Sequence, residues 1–448
     1  PELLIFSAPG IRLVRARPMP RALRISVKQG KTEQNPMNLI VYAVPFFILA
    51  MIVEWLFGLA RHRNTYRLSD SISSLFLGVL SQARRFVTLG LGGYVYYLVT
   101  RHFSLPLLDA GDWSTWVLAT VLYDLCYYWQ HRMGHERTFF WAAHVAHHQS
   151  EDYNLSTALR QTSTGFLLDW VFYIPMYLLG IPAEVVVTVG AINLIYQFWV
   201  HTEHVPKLGW YEWVFVTPSN HRVHHAQNDI YMDRNYGGIF ILWDRLFGTF
   251  QEELASEPPI YGIRGPLRSW NPVKALTHIY IDMFRDSWHT RRWRDKLRVW
   301  VARTGWRPAD VAQRYPRDKP GLAQFRKFDP PVSRLVGAYA FAQLVAAVLL
   351  LDFMQKTDLA YWSGFSMWAL LLAGMVTTAL WLEGRDPVRL LRWELLRLAG
   401  LSLLLLAAQA AQAGAGLLLA GVGYGVLNLF FLFPLVREPA TSGPAPAQ

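Results

Sequence analysis

Of 448 residues, 52% are hydrophobic and 17% charged, and the formal net charge is +11. So much apolar surface excludes an ordinary soluble fold and marks an integral membrane protein, whose many aromatic residues suit interfacial belts. The basic excess then belongs to orientation and anionic headgroups rather than to nucleic acid. A single cysteine, Cys126, excludes an intramolecular disulfide and a thiolate metal site. The expected fold is all-α and polytopic.

Pro1 to Pro36 is basic and broken by prolines, a composition that buries no core, and reads as an extension upstream of a start at Met37. Asn38 to Ala60 is long enough to cross roughly 30 Å of hydrocarbon. Its Glu54 is either paired or near the end of the span. A basic loop follows, with Arg61, Arg63, Arg67, Arg84 and Arg85. Phe86 to Thr100 reads as a second span, led in by Ser71 to Leu80 as an interfacial helix. Trp113 to Gln130 is a third and delivers His131 at its end. Gly165 to Leu179 and Ala183 to Val200 form an apolar hairpin around the breaker Gly180-Ile181-Pro182, returning the chain to the face it left. Lys207 to Pro331, rich in Trp and Arg, reads as a cap on that face; within it, Trp288 to Pro331 is either a headgroup-facing surface or a solvated helix and loop. Four more spans follow: Ser333 to Leu351, Leu359 to Leu382, Leu398 to Ala411 and Gly416 to Phe433. Arg385, Arg389, Arg392 and Arg397 make the loop after the second of these basic. The Pro/Ala/Ser-rich segment from Arg437 is expected to be disordered. The chain thus divides into an extension (1–36), a histidine-bearing membrane domain (37–331), a C-terminal bundle (332–436) and a tail (437–448). Its basic loops share the face of the histidine loops, which the positive-inside rule makes cytoplasmic.

Most of the 14 histidines fall in clusters. His131 and His135 are one helical turn apart. His144, His147 and His148 follow an i, i+3, i+4 pattern, and His221, His224 and His225 repeat it, so each triplet reads as a three-imidazole face able to hold one ion. Neutral imidazole is a ligand for iron, copper, nickel and zinc, and the spacing leaves the element open. With His201 the set exceeds the roughly four to six ligands of one ion, so two ions close together are expected. His62, His102, His278 and His289 stand alone and read as surface or core residues. Glu203, two residues after His201, is a candidate partner for orienting an imidazole.

At these clusters the residues become specific. Trp141-Ala-Ala-His144-Val-Ala-His147-His148-Gln-Ser150-Glu151-Asp152-Tyr153-Asn154 runs on to Arg160-Gln161. Gln197-Phe-Trp-Val-His201-Thr202-Glu203 and Thr217-Pro218-Ser219-Asn220-His221-Arg222-Val223-His224-His225 follow, then Asp233 to Gly238 and Trp243 to Phe250. These stretches resemble the fatty acid hydroxylase/sterol desaturase superfamily, and within it the alkylglycerol monooxygenase branch, densely over Tyr123 to Glu253. The resemblance implies a di-iron centre held by His131, His135, His144, His147, His148, His201, His221, His224 and His225, at the cytoplasmic ends of the helices. It implies O₂-dependent attack on a lipid C–H bond beside an ether oxygen, releasing a fatty aldehyde, with an external electron donor, a tetrahydropterin in that branch. Glu136 stands where the branch has an acidic residue and is a candidate catalytic residue. Relatives often carry His at the position of Asn220, and His204 is not an expected ligand. The alternatives are a sterol, sphingolipid or fatty acyl hydroxylase or desaturase of the same superfamily, and a metal transporter. Transport is disfavoured because the histidines gather at one face and the spans hold few ionisable residues. The location that follows is a bacterial inner membrane, or the endoplasmic reticulum if the source is eukaryotic.

Overall fold

The computed structural model describes residues 36–83, 90–317, 321–357, 361–410 and 415–435. The N-terminal extension up to residue 35, Arg84, Arg85 and the C-terminal tail lie outside them. Three of the described helices have the length and apolarity to cross a membrane: Tyr42–Ala60, Arg334–Lys356 and Tyr361–Leu382. The first lies within α1 (Pro36–Ala60), which is apolar on all sides and turns Phe46, Leu49, Val53 and Leu56 outward. An all-round apolar helix suits lipid, not water. Glu54 points the other way and is paired: it accepts from the Leu155 amide at 2.8 Å and from the Thr202 and Tyr66 hydroxyls.

One sequence expectation changes at this point. α2 (Leu68–Gln82) is not interfacial; Ile72, Phe76, Leu77 and Leu80 are buried against Val336, Tyr339, Leu371 and Met375 in one core. The first four residues of the second expected span, Phe86 to Thr100, lie outside the described ones. Its described helix, α3 (Leu91–His102), has 12 residues, about 18 Å, well short of the hydrocarbon thickness. The apolar composition of this region serves packing between helices as much as contact with lipid.

The functional half is built on α4 (Trp113–Glu136), which breaks at Arg137 and turns into α5 (Thr138–His148). A single turn, α6 (Leu155–Ala158), follows, capped by Asn154. The first arm of the expected hairpin is irregular: 3₁₀ turns at Gly165–Leu167 and Asp169–Tyr173 lead into the short α7 (Ile174–Leu178). Its breaker is real, because Gly180 takes φ +73° and a Cβ there would meet the Pro106 carbonyl oxygen at 2.5 Å. α8 (Ala183–Trp199) packs on α1 and α4 and ends just before His201. Next come α9 (Pro218–His225), α10 (Leu242–Phe247), α11 (Pro272–His289), α12 (Trp293–Val301) and α13 (Ala309–Arg314), of which α11 lies along α5.

The C-terminal helices are α14 (Arg334–Lys356), α15 (Tyr361–Leu382), α16 (Pro387–Ala410) and α17 (Ala415–Leu435). Here α16 starts eleven residues before the expected Leu398, with Pro387 pre-set for a first helical position. Arg397 is therefore not a loop residue. It is buried within the bundle and ion-paired to Glu394, beside Tyr339 and Asn428.

Candidate metal centre

The nine clustered histidines come together from four segments: the end of α4, α5, His201 two residues beyond α8, and α9. They sort into two groups. His131, His135, His144, His148 and His224 form one; His147, His201, His221 and His225 form the other. Within each group one ring nitrogen per histidine lies within 4.8 Å of all the rest. Glu136, His204, Asn220 and the four solitary histidines belong to neither.

This division corrects the reading of each triplet as a set for one ion. On a helix, neighbouring residues point about 100° apart, whereas residues four apart differ by only about 40°. His144 and His148 thus share one group while His147 turns to the other. In α9, His221 and His225 share a group while His224 crosses over. Each group draws on both α5 and α9, so the two helices clamp the pair of sites jointly.

The ring protons can be assigned from their partners. A carbonyl oxygen only accepts, so a ring nitrogen facing one must carry hydrogen. His131 Nδ1 faces the Tyr236 carbonyl at 2.8 Å and His147 Nδ1 faces that of Arg160 at 2.9 Å. His201 Nδ1 faces the Gln197 carbonyl at 2.7 Å and His224 Nδ1 that of Arg234 at 3.0 Å. Burial keeps these rings neutral. It lowers His147 to about 4 and holds the other imidazoles of α5 and α9 well below the ordinary histidine range. A neutral ring with its proton on Nδ1 presents a bare lone pair at Nε2. His147 and His201 aim two such lone pairs at each other across 3.3 Å. No hydrogen is available to sit between them, so the contact is repulsive unless a cation lies there. Nε2 of His135 and of His224 are buried without a partner among the described residues, which is costly for a polar atom left unpaired. The donor set therefore fits metal ions, one for each group.

Carboxylates frame the site without entering it. Glu136 accepts from Arg132 Nε at 2.7 Å and is partly exposed. Asn220 is used by the fold: with Thr217 it closes the capping box of α9. Glu203 feels the charges of Lys327 and Arg222 and forms no hydrogen bond to an imidazole among the described residues. The imidazole-orienting role expected of it falls to the backbone carbonyls. His204 packs edge-on to Phe57.

Sequence reasoning missed two aspartates. Asp124, within α4, accepts from Asn193 Nδ2 and the Ile239 amide at 2.7 Å, the Phe240 amide at 2.9 Å and Trp243 Nε1 at 3.0 Å. Asp244 accepts from the Tyr236 and Gly237 amides at 2.8 and 2.7 Å. Together they pin the segment whose Tyr236 carbonyl orients His131. A Cβ on Gly238 would lie 2.7 Å from Asp124 Oδ1, so only glycine permits that approach. The available signal was an acidic residue inside an apolar span, which needs a partner. A cavity of about 60 Å³ adjoins the five-histidine group, walled by His131, His144 and Phe140 and carrying Gln130, Thr162 and Asp169. None of the four-histidine group lines it.

The fatty acid hydroxylase family profile matches residues 116–249, the stretch that holds all nine histidines. That fixes the class. Alkylglycerol monooxygenase from Homo sapiens is 37% identical over 332 residues, covering 73% of this chain and 73% of its own. Alkylglycerol monooxygenase from Danio rerio is 37% identical over 334 residues, covering 71% and 72%. Ornithine lipid hydroxylase OlsE from Rhizobium tropici is 31% identical over 156 residues, covering 33% and 45%. No solved structure matches. The chain belongs to the fatty acid hydroxylase family and, within it, groups with the alkylglycerol monooxygenases. Its histidine clusters and this membership together suggest an iron-dependent enzyme.

Proposed function

We propose that this protein is a non-haem di-iron monooxygenase that hydroxylates an alkyl ether lipid on the carbon beside the ether oxygen and releases a fatty aldehyde. The observation that carries the reading is the facing of unprotonated imidazole nitrogens in two adjoining groups, one of which lines a cavity. His131, His135, His144, His148 and His224 would hold one ion, and His147, His201, His221 and His225 the other. When bound, iron supplies O₂ activation and the removal of hydrogen from carbon. The ether oxygen weakens the neighbouring C–H bond, which selects that carbon. One oxygen atom enters there; the other leaves as water with two protons and two electrons, for which a tetrahydropterin is the proposed source. The hemiacetal then parts into aldehyde and a free glycerol hydroxyl.

The chain's own residues prepare this chemistry. Backbone carbonyls hold the Nδ1 protons of His131, His147, His201 and His224 and so present their Nε2 atoms to the ions. Gln130, Thr162 and Asp169 offer hydrogen-bonding atoms to headgroup hydroxyls, while Phe140 suits an alkyl chain. The cavity volume matches a reacting segment, not a whole lipid. Glu136, already paired to Arg132, is proposed to fix the end of α4 beside His135 rather than to bind an ion. Residues 37–331 are proposed to carry the chemistry and 332–436 to support them as a bundle, in a multi-pass arrangement whose histidine face is cytoplasmic. The test uses membranes with 1-O-alkylglycerol, O₂, ferrous iron and a tetrahydropterin, followed for fatty aldehyde. No aldehyde from iron-loaded protein, with turnover of a sterol or acyl lipid instead, would shift the assignment to those substrates.

A further inference from the structure

Tyrosine hydroxyls near the metal centre find protein partners almost everywhere. Tyr153 donates to the Val200 carbonyl at 2.9 Å, Tyr173 to Gln130 Oε1 at 2.6 Å and Tyr231 to the Glu257 carbonyl at 2.7 Å. The Tyr128 hydroxyl lies 2.9 Å from Thr249 Oγ1. Tyr236 departs from the pattern. Its side chain is fully buried, and its hydroxyl has no hydrogen-bond partner among the described residues. Leaving a phenol hydroxyl buried and unpaired is unfavourable, and phenylalanine would fill the same space without that cost.

The surroundings of Tyr236 say what the hydroxyl is kept for. The ring centroid lies 5.4 Å from that of His135, 6.0 Å from His131 and 6.1 Å from His224, all members of the five-histidine group. Two of those rings, His135 and His224, carry the unpartnered Nε2 atoms. The Tyr236 ring thus packs on the group that holds both unpartnered Nε2 atoms. The three orphaned polar atoms are complementary: two ring nitrogens suited to a cation, and one hydroxyl suited to an oxygen or an anion. The charges that act on that hydroxyl are those of Asp233, Glu136, Arg132 and Asp244. The Tyr236 backbone is held independently, by Asp244 at its amide and His131 at its carbonyl, so its hydroxyl is free of any duty in the fold.

We infer that the Tyr236 hydroxyl donates a hydrogen bond to the exogenous, non-protein ligand of the ion held by the five-histidine group, and that it is a catalytic residue on that account. This makes the five-histidine ion, which also borders the cavity, the one that meets small-molecule ligands. The four-histidine ion is left in a supporting place. The inference rests on the metal reading and is independent of which lipid is the substrate.

The experiment compares the iron-loaded full chain in lipid nanodiscs with its Tyr236→Phe variant, using azide as the probe of the oxidised protein. Iron content is expected to be unchanged, and the thermal midpoint equal or higher because no protein hydrogen bond is lost. The azide Kd, followed by its charge-transfer absorption, is expected to rise about 10-fold or more, as for loss of a hydrogen bond to a charged group. Aldehyde turnover is expected to fall with it. Tyr128→Phe is the contrast: it loses a protein partner, so its midpoint falls while its azide affinity stays. Azide affinity and turnover of Tyr236→Phe within about twofold of the parent would overturn the inference, since a charged hydrogen bond is worth more than that. A midpoint lowered by several degrees, or a parent that binds no azide, would overturn it too. Absence of aldehyde from the parent refutes the ether-lipid reading and leaves the azide comparison to decide Tyr236.

Discussion

Asp124→Asn tests the idea that a carboxylate buried in α4 sets a histidine it never touches. Four donors converge on Asp124, two on each oxygen: Asn193 and the Ile239 amide on Oδ1, the Phe240 amide and Trp243 on Oδ2. An asparagine keeps one oxygen and, in either flip, sets its own NH₂ against the other two donors. Two buried donors then lose their acceptor, at about 1–3 kcal/mol each, or about 2–6 kcal/mol together. With an unfolding entropy of roughly 2 cal/mol/K per residue over some 400 residues, that is a fall of about 2–7 °C in the thermal midpoint. The functional effect is local. The freed segment carries the Tyr236 carbonyl that orients His131, and loosening such a partner costs about 10–100-fold in metal affinity or activity. Purified Asp124→Asn protein would be measured by thermal denaturation and by iron per chain. A midpoint within about 1 °C of the parent together with full iron would refute the reasoning, because no unsatisfied donor would then have been created.

The interleaving of the triplets makes neighbouring substitutions differ: His147→Ala is expected to empty the four-histidine site and His148→Ala the five-histidine site, each retaining the other ion, and equal losses of both ions in the two variants, read by metal content and Mössbauer spectra, would contradict it. Metal-free protein should lose stability as pH falls from about 6.5 toward about 4, because the unfolded chain takes up protons that the buried rings, His147 among them, refuse; a thermal midpoint that is flat or rising on acidification would show the sign to be wrong. For orientation, Asp229 is highly exposed after α9 and the native Cys126 is buried, so Asp229→Cys should be labelled by a membrane-impermeant thiol reagent only after cells are opened, and labelling of intact cells would place the histidine face outside.

Helical periodicity and composition were enough to read the all-helical membrane fold, the first span, and the four C-terminal helices to within a turn or so, save for the start of α16. They failed where apolar residues serve the interior. Ser71 to Leu80 looks interfacial by pattern, yet as part of α2 it is the piece against which α14 and α15 bury Val336, Tyr339 and Met375. Hydropathy does not distinguish a neighbouring helix from a lipid chain, since both accept the same side chains. Arg397 was misplaced for a related reason: its partner Glu394 lies three residues back on a helix whose start the pattern put too late.

At the site, spacing and resemblance were enough to single out the nine histidines that the structure gathers into two groups. What the sequence could not decide was their allocation. Spacing within one helix defines directions about 40° or 100° apart but not what stands in those directions. Only the placement of α9 beside α5 assigns His147 and His148 to different groups, and returns His224 to α4 while its neighbours face His201. The same holds for the supporting atoms. Carbonyls of Tyr236, Arg160, Gln197 and Arg234 orient the rings, and a backbone carbonyl is present at every position of every sequence. Which of them meets an imidazole is a property of the folded chain alone.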